Sequence, residues 1–271
     1  MFGVGRVKRA VHTAIATHRR ATPVKMLHKV TAFIESAYAN VGSDFAENGE
    51  KVLLQKLSSC DMRVALDIGA NVGDWTSEAL AAWPHCTVHA FEIAPMTFEE
   101  LSRRLAPMPS SRRAVLNAFG CSDADGSQAM YYFPDHPDLT CDLPRHSHRF
   151  FKFDAKVVTL DRYCRERSIE HVDFLKMDVE GAEHRVLKGF TEYLAAKRVD
   201  CIQFEYGAFA TQTRFLLSDY YSLLGEDYWM GKIYPGYVDF RAYDWTMEDF
   251  KFSNYLCLSR SRPELKTLLE S

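Results

Sequence analysis

From residue 60 onward, short apolar runs alternate with segments whose apolar residues return every three or four positions. The runs "RVALDIG" (63–69), "TVHAFEI" (87–93), "AVLNAFGC" (114–121), "VDFLKMD" (172–178) and "VDCIQFEY" (199–206) are too short for helices and rich in β-branched and aromatic residues, so they predict strands. Between them, "WTSEALAAW", "TFEELSRRLAP" (97–107) and "EHRVLKGFTEYLAAK" carry helical periodicity. Continuous apolar strands separated by helices imply parallel pairing through right-handed crossovers, hence a doubly wound α/β sheet.

The rhythm changes in three places. Residues 1–45 read as a basic helical arm ahead of a domain spanning 46–271. Val4, Val7, Val11 and Ile15, then Met26, Leu27, Val30 and Ile34, recur at helical spacing, and Arg6, Lys8, Arg9, Arg19, Arg20, Lys25 and Lys29 precede the first acid, Glu35. Such a stripe packs on the domain, joins a second subunit as a homodimer, or makes peripheral contact with an anionic membrane. Within the domain, "DADG" (123–126) reads as a hairpin turn between "NAFGCS" and "SQAMYYF". The segment 134–153, with His136, His146 and His148, reads as a long loop over one edge, and its histidines lack metal-ligand spacing. Tyr220, Tyr221, Tyr228, Trp229, Tyr234, Tyr237, Tyr243 and Trp245 crowd the C-terminal part. They pack as core and edge or line a wall for a ring-shaped acceptor.

A composition of 47% hydrophobic and 25% charged residues with net charge −3 is that of a soluble globular protein and gives no reason to expect a nucleic-acid partner. The seven cysteines are scattered without a C-x-x-C pair, which suits reduced thiols in a cytoplasmic protein better than disulfides or zinc. No apolar run approaches the roughly 20 residues of a transmembrane helix. A signal-peptide core is also missing, so a cytoplasmic location is expected.

Candidate chemistry begins at the first strand-to-helix junction, "LDIGANVGDW". Gly69 and Gly73 are spaced G-x-x-x-G, without the middle glycine of the dinucleotide fingerprint and without the Gly-Lys-Ser/Thr of a phosphate loop. Asp67 at the strand tip repels an anion but suits an ammonium or sulfonium. Glu92, ending the second strand, stands where a carboxylate grips the ribose hydroxyls of an adenine nucleoside. Together these features describe S-adenosylmethionine; an NAD reading keeps Glu92 and loses on the glycines.

The ligand of a doubly wound sheet lies beyond the carboxyl ends of its strands. Asp178 ends the fourth strand and Glu205 the fifth, so both face the cleft of Asp67 and Glu92. Lys176 shares a strand face with Asp178 and offsets its charge. Methyl transfer to an alcohol gains about 10²–10⁴-fold from a positioned base. Asp178 is the favoured base, with Glu205 orienting the acceptor and Lys176 or Glu205 as alternative bases. A second mechanism has Asp178 and Glu205 hold a Mg²⁺ that acidifies the hydroxyl. His184 is a further catalytic candidate. Glu180 and Glu183 fall in the first turn of a helix, where the dipole favours acids.

In order and spacing, "LDIGANVGDW", "AFEIAP", "VVTLDRYCRERSIEHVDFLKMDVEGAEHRVLKGF" and "IQFEYG" resemble the FkbM-type S-adenosylmethionine-dependent methyltransferases over about residues 60–206, with a looser echo in "NYLCLS" (254–259). The resemblance implies a class I (Rossmann-like) methyltransferase fold, a doubly wound seven-stranded sheet with its last strand antiparallel. It also implies O-methylation of a sugar or glycan hydroxyl, or of a polyketide-type natural product. A non-catalytic cofactor-binding module is the reading from a different class. By position, the resemblance assigns Asp67, Gly69, Asn71, Gly73 and Glu92 to the cofactor and Ser122 to the side of the adenine. Lys176, Asp178, Glu180 and Glu205 then face the acceptor.

Overall fold

A computed structural model of the chain describes residues 2–144 and 148–271. The chain divides into two units, Met1–Val41 and Gly42–Ser271. The first unit consists of α1 (Phe2–Thr17) and α2 (Thr22–Tyr38). Pro23 sits in the first turn of α2, where a missing N–H leaves no bond unmade. No residue of α2 is buried, and Val7, Val11, Ile15, Met26, Leu27, Val30, Phe33 and Ile34 stand exposed.

The second unit opens with α3 (Glu50–Lys56) and continues through β1 (Val64–Ile68), α4 (Asp74–Ala82), β2 (Thr87–Phe91), α5 (Pro95–Leu105) and β3 (Ala114–Asn117). An excursion follows: β4 (Gly120–Cys121), β5 (Gly126–Tyr132), β6 (Phe151–Val158) and α6 (Leu160–Glu166). The chain then returns through β7 (Val172–Met177), α7 (Glu183–Lys188), α8 (Thr191–Ala195) and β8 (Val199–Tyr206). It closes with α9 (Ala210–Thr213), α10 (Leu217–Leu224), β9 (Tyr228–Tyr234), β10 (Tyr237–Phe240), β11 (Ser253–Ser259) and α11 (Pro263–Glu270).

The main sheet runs in the order β10-β9-β11-β8-β7-β1-β2-β3. The five strands from β8 to β3 are parallel, whereas β11 is inserted antiparallel between β8 and β9. These seven strands form the class I arrangement. An eighth, β10, is added at the edge by a hairpin in which Gly236 adopts φ +123°. Every residue of β7 and β8 is buried because helices cover both faces, and successive residues serve opposite cores. Phe174 packs with Trp75, Trp83 and Leu54, whereas Leu175 packs with Val186, Phe190 and Phe204. Each such buried side chain contributes about 1.5–3 kcal/mol.

The excursion departs from the expected pattern. The run 114–121 is two strands: β3 stays in the main sheet, and β4 leaves it for a second sheet of order β4-β6-β5. The turn at 123–126 exists, but its flanking strands do not pair. β6 lies between them, parallel to β4 and antiparallel to β5. β6 also begins inside the segment expected as loop, because burial of Ala155, Val157 and Val158 draws that stretch into the sheet. Asp125 accepts a hydrogen bond from the Thr159 N–H at 2.9 Å and fastens the turn to the far end of β6. Six cysteines are buried and Cys60 is partly exposed. Among the described residues no helix is long and apolar enough to cross a membrane.

Candidate active site

The strand order reverses between β1 and β7, and their register sets Asp67 opposite Lys176. A cleft opens at the carboxyl ends of the strands at such a reversal. The backbone leaving β1 passes through Gly69 at φ +83° and Asn71 at φ +47° before Gly73, at φ +91°, leads into α4. The N–H groups of Gly69 and Ala70 both donate to the Phe91 carbonyl, at 3.0 and 2.9 Å. A Cβ on Gly69 would lie 1.9 Å from the carbonyl oxygen of Asp178, so only glycine allows this approach.

Carboxylates surround the turn. Asp67 is fully buried; its Oδ2 accepts from the Thr76 hydroxyl at 2.5 Å, while Oδ1 has no hydrogen bond and stands 3.9 Å from Lys176 Nζ. Burial pushes the Asp67 carboxyl up, opposed by Lys176 and Thr76. Glu92 accepts from the Asn71 N–H at 2.9 Å and the Ala94 N–H at 2.8 Å, which holds the turn in place. Burial pushes Glu92 up to about 7. Lys176 donates to Asp178 Oδ2 at 2.9 Å. Burial opposes its charge, but Asp178, Asp67 and Glu50 outweigh that and keep the ammonium protonated.

Glu50, which sequence reasoning missed, belongs to this shell. It lies buried at the start of α3 and accepts from Asn48, Gln203 and Asn254. Its signal in the sequence, an acid in the first turn of a helix, has an ordinary dipole explanation. Trp75 was also missed: it lines the cleft, and its buried indole N–H has no hydrogen-bond partner.

Two cavities meet at Gly69 and Asp178. One, of about 500 Å³, is lined by Glu50, Ala70, Asn71, Trp75 and Lys176. The other, of about 510 Å³, is lined by Phe91, Ile93, Cys121, Met130 and Val157, so the second sheet forms one of its walls. Ser122 is buried beside it; its hydroxyl donates to Asp123 at 3.1 Å and to Gln128, a lining residue, at 3.4 Å.

Beyond the turn, Asp178, Glu180 and Glu205 bring carboxylate oxygens within 4.8 Å of one another. Glu180 has φ +57°, a costly conformation for a residue with a side chain. Glu205 is 7% exposed, and its Oε2 makes no hydrogen bond. Burial, then the charges of Asp178, Glu180 and Glu183, pushes its carboxyl well up. Glu183 accepts from the N–H groups of Val179 and Gly181 at 3.1 and 3.3 Å, clamping the 179–181 loop, and burial pushes it up to about 7. His184 stacks on Phe215 at 5.1 Å, with Nδ1 3.2 Å from the Gly181 carbonyl. His136 and His148 approach one another at 5.2 Å between ring centroids and join no metal-ligating group of three among the described residues; His146 lies outside those residues.

The C-terminal aromatic residues fall in the core, along a groove and on the surface, where Trp245 is 77% exposed. Tyr220 stacks on Phe204 at 4.1 Å in the core, and Tyr228 is buried and donates to the Val199 carbonyl. Tyr221, Trp229 and Tyr243, with an edge of Tyr228, line a groove with Arg241, Arg260 and Lys266. By register that groove sits at the amino end of β9, the opposite end of the sheet from Glu205.

A sheet reversed between β1 and β7, an antiparallel strand inserted beside the edge and an acidic tip on β2 define a class I methyltransferase fold. The model of the methyltransferase FkbM domain matches residues 67–229, more than half of the chain, and the chain belongs to that family. It is 28% identical to methyltransferase sdnD of Sordaria araneosa over 47% of this chain and 60% of that protein. It is 29% identical to 31-O-demethyl-FK506 methyltransferase FkbM of Streptomyces tacrolimicus over 46% and 58%, and 25% identical to 2-O-methyltransferase NoeI of Sinorhizobium fredii over 58% and 63%. The chain thus spans about three-fifths of the length of these curated relatives. Among solved structures, precorrin-6y C5,15-methyltransferase of Geobacter metallireducens aligns with TM-score 0.41 and 16% identity, covering 77% of this chain and 86% of that one.

Proposed function

We propose that the chain transfers the methyl group of S-adenosylmethionine to a hydroxyl of a sugar or glycan. The observation that carries this reading is the pair of cavities meeting at Gly69 and Asp178, one ringed by charged groups and the other apolar. The residues fit such a donor. The Asp67 Oδ1 and the Trp75 indole N–H are an unpartnered acceptor and an unpartnered donor, suited to an ammonium and a carboxylate. Glu92 has lone pairs left for ribose hydroxyls, and Phe91, Ile93 and Met130 offer an apolar slot for adenine. When bound, the sulfonium supplies an electrophilic methyl group.

In this reading Asp178 takes the acceptor's proton as the oxygen is alkylated, a contribution of about 10²–10⁴-fold. Glu205 orients the acceptor. Lys176 holds Asp178 and offsets part of the shell's charge; a protonated ammonium is no base. His184, stacked and bonded to Gly181, borders the loop instead of entering the carboxylate group. Two relatives named as O-methyltransferases support oxygen as the acceptor atom, and the name of the Streptomyces enzyme supports a natural-product hydroxyl as the second reading. The basic helical arm is assigned to peripheral contact with an anionic surface, because paired copies would bring like charges together.

Calorimetry with S-adenosylmethionine and with NAD tests the donor, and labelled donor with a panel of sugar, glycan and polyketide acceptors tests the reaction. Preference for NAD ends the reading. Donor binding with no transfer to any acceptor class leaves the cofactor-binding module in its place.

A further inference from the structure

We propose that Asp178, Glu180 and Glu205 hold a divalent cation of the magnesium or manganese class; the inference rests on the methyl-transfer reading only for the use made of the ion. Three carboxylates from β8 and the loop after β7 place ligand oxygens within 4.8 Å of one another. Carboxylate oxygen is the donor such cations take. Glu205 supplies an independent sign. It is 7% exposed and faces Asp178 and Glu180, yet its Oε2 has no hydrogen-bond partner. A buried carboxylate oxygen is costly unless something binds it.

The ion pairs point the same way. Lys176 Nζ lies 2.9 Å from Asp178 and 3.9 Å from Asp67, so this ammonium is paired with those two and not with Glu205. Carboxyl groups held this close repel as anions unless a cation or a proton lies between them. The other three-residue group among the described residues, His171, Asp173 and Asp200, is already occupied by protein donors. Asp173 accepts the N–H groups of Arg63 and Val64 at 2.8 Å each, and Asp200 is paired with His171 and Arg262.

Such an ion keeps several water positions open. An acceptor hydroxyl at one of them would be polarised, which would ease passage of its proton to the Asp178 carboxylate as the oxygen takes the methyl group. Asp178 would then touch both the ion and the acceptor, with Oδ2 still held by Lys176.

The test uses the full chain stripped with chelator, titrated with Mn²⁺ and followed by the paramagnetic resonance of the free ion. Saturable binding displaced by Mg²⁺ is expected. Glu205→Gln and Glu180→Gln are each expected to weaken it at least about 10-fold, the smaller loss seen even for outer-shell changes, while His171→Ala leaves it unchanged. Circular dichroism melts and donor calorimetry check that the variants fold; should Glu205→Gln unfold, Glu180→Gln decides. No Mn²⁺ bound by the wild type at millimolar concentration overturns the proposal, as does unaltered binding in both Gln variants. Wild type that binds donor but no metal ends only the cation proposal; wild type that binds metal but no donor ends only the methyl-transfer reading.

Discussion

Replacing Gly69 by alanine asks for a methyl group where the chain has no room. The new Cβ would lie 1.9 Å from the Asp178 carbonyl oxygen and 2.9 Å from its carbon, on a residue at φ +83°. The left-handed conformation alone costs about 1–2 kcal/mol. Ordinary contact needs about 3.5 Å, so the Asp178 carbonyl must retreat by roughly 1.5 Å. Overpacking of that kind costs about 1–3 kcal/mol. It also strains the hydrogen bond from the Asp178 N–H to the Ile68 carbonyl, 2.9 Å long and worth about 0.5–1.5 kcal/mol. The expected total is roughly 3–6 kcal/mol. Gly236 is the control: it has φ +123° with nothing within 4 Å of its Cβ, so Gly236→Ala carries the conformational cost alone. Urea denaturation of the two variants and the wild type measures the difference, and calorimetry with S-adenosylmethionine reports whether the turn still receives the donor. Equal losses within about 1 kcal/mol, or full donor affinity in Gly69→Ala, would refute the claim that β1 and β7 meet too closely for a side chain.

Other outcomes are expected. In the proposed reading Glu92 would hold ribose hydroxyls as a carboxylate, and burial pushes it up to about 7, so donor affinity should rise with pH and level off above that value; Glu92→Gln should bind weakly at every pH, and a wild-type affinity flat across pH 7 speaks against the role. Glu183 is raised from 4.5 to about 7, so its folded form holds a proton that the unfolded chain has released. Its contribution to stability is present below about 4.5 and lost as pH rises through 7; Glu183→Gln should flatten that fall in thermal melts, and an unchanged slope removes Glu183 as the cause. Asp178→Asn should keep donor binding and lose about 10²–10⁴-fold in turnover, and near-normal turnover takes it out of the chemistry. The full chain should sediment with anionic vesicles and not neutral ones, and Leu27→Glu with Phe33→Glu should abolish this; retained sedimentation in that double variant shows that the apolar face of α2 is not what binds.

The parallel strands were legible because burial on both faces writes a strand as one unbroken apolar run, as in "VDFLKM" and "VDCIQF". The acidic tips followed from topology: once β1, β2, β7 and β8 are parallel neighbours, their last residues crowd one end of the sheet. The second sheet was not legible. β4 offers two residues, its partner β6 arrives some 30 positions later, and the outward Lys152, Asp154 and Lys156 dilute the apolar signal of β6. Glu50 stayed hidden for a similar reason: Gln203 and Asn254, which bring it into the cleft, are distant in the chain. Glu183 was legible as an acid at a helix start, but its grip on the 179–181 backbone was not, because the left-handed Glu180 that creates the loop leaves no mark in composition.

The burial of the thiols gives the chain a built-in clock. Cys86 and Cys164 are pushed up to about 12 by burial, and Cys121, Cys201 and Cys257 are raised as well, so inside the folded protein none of these five presents a thiolate to an alkylating reagent. Burial raises Cys60 as well, but it alone of the seven is partly exposed, so a maleimide dye should enter first there, beside the first strand and away from the cleft, and the slower labelling that follows times how often the core breathes open.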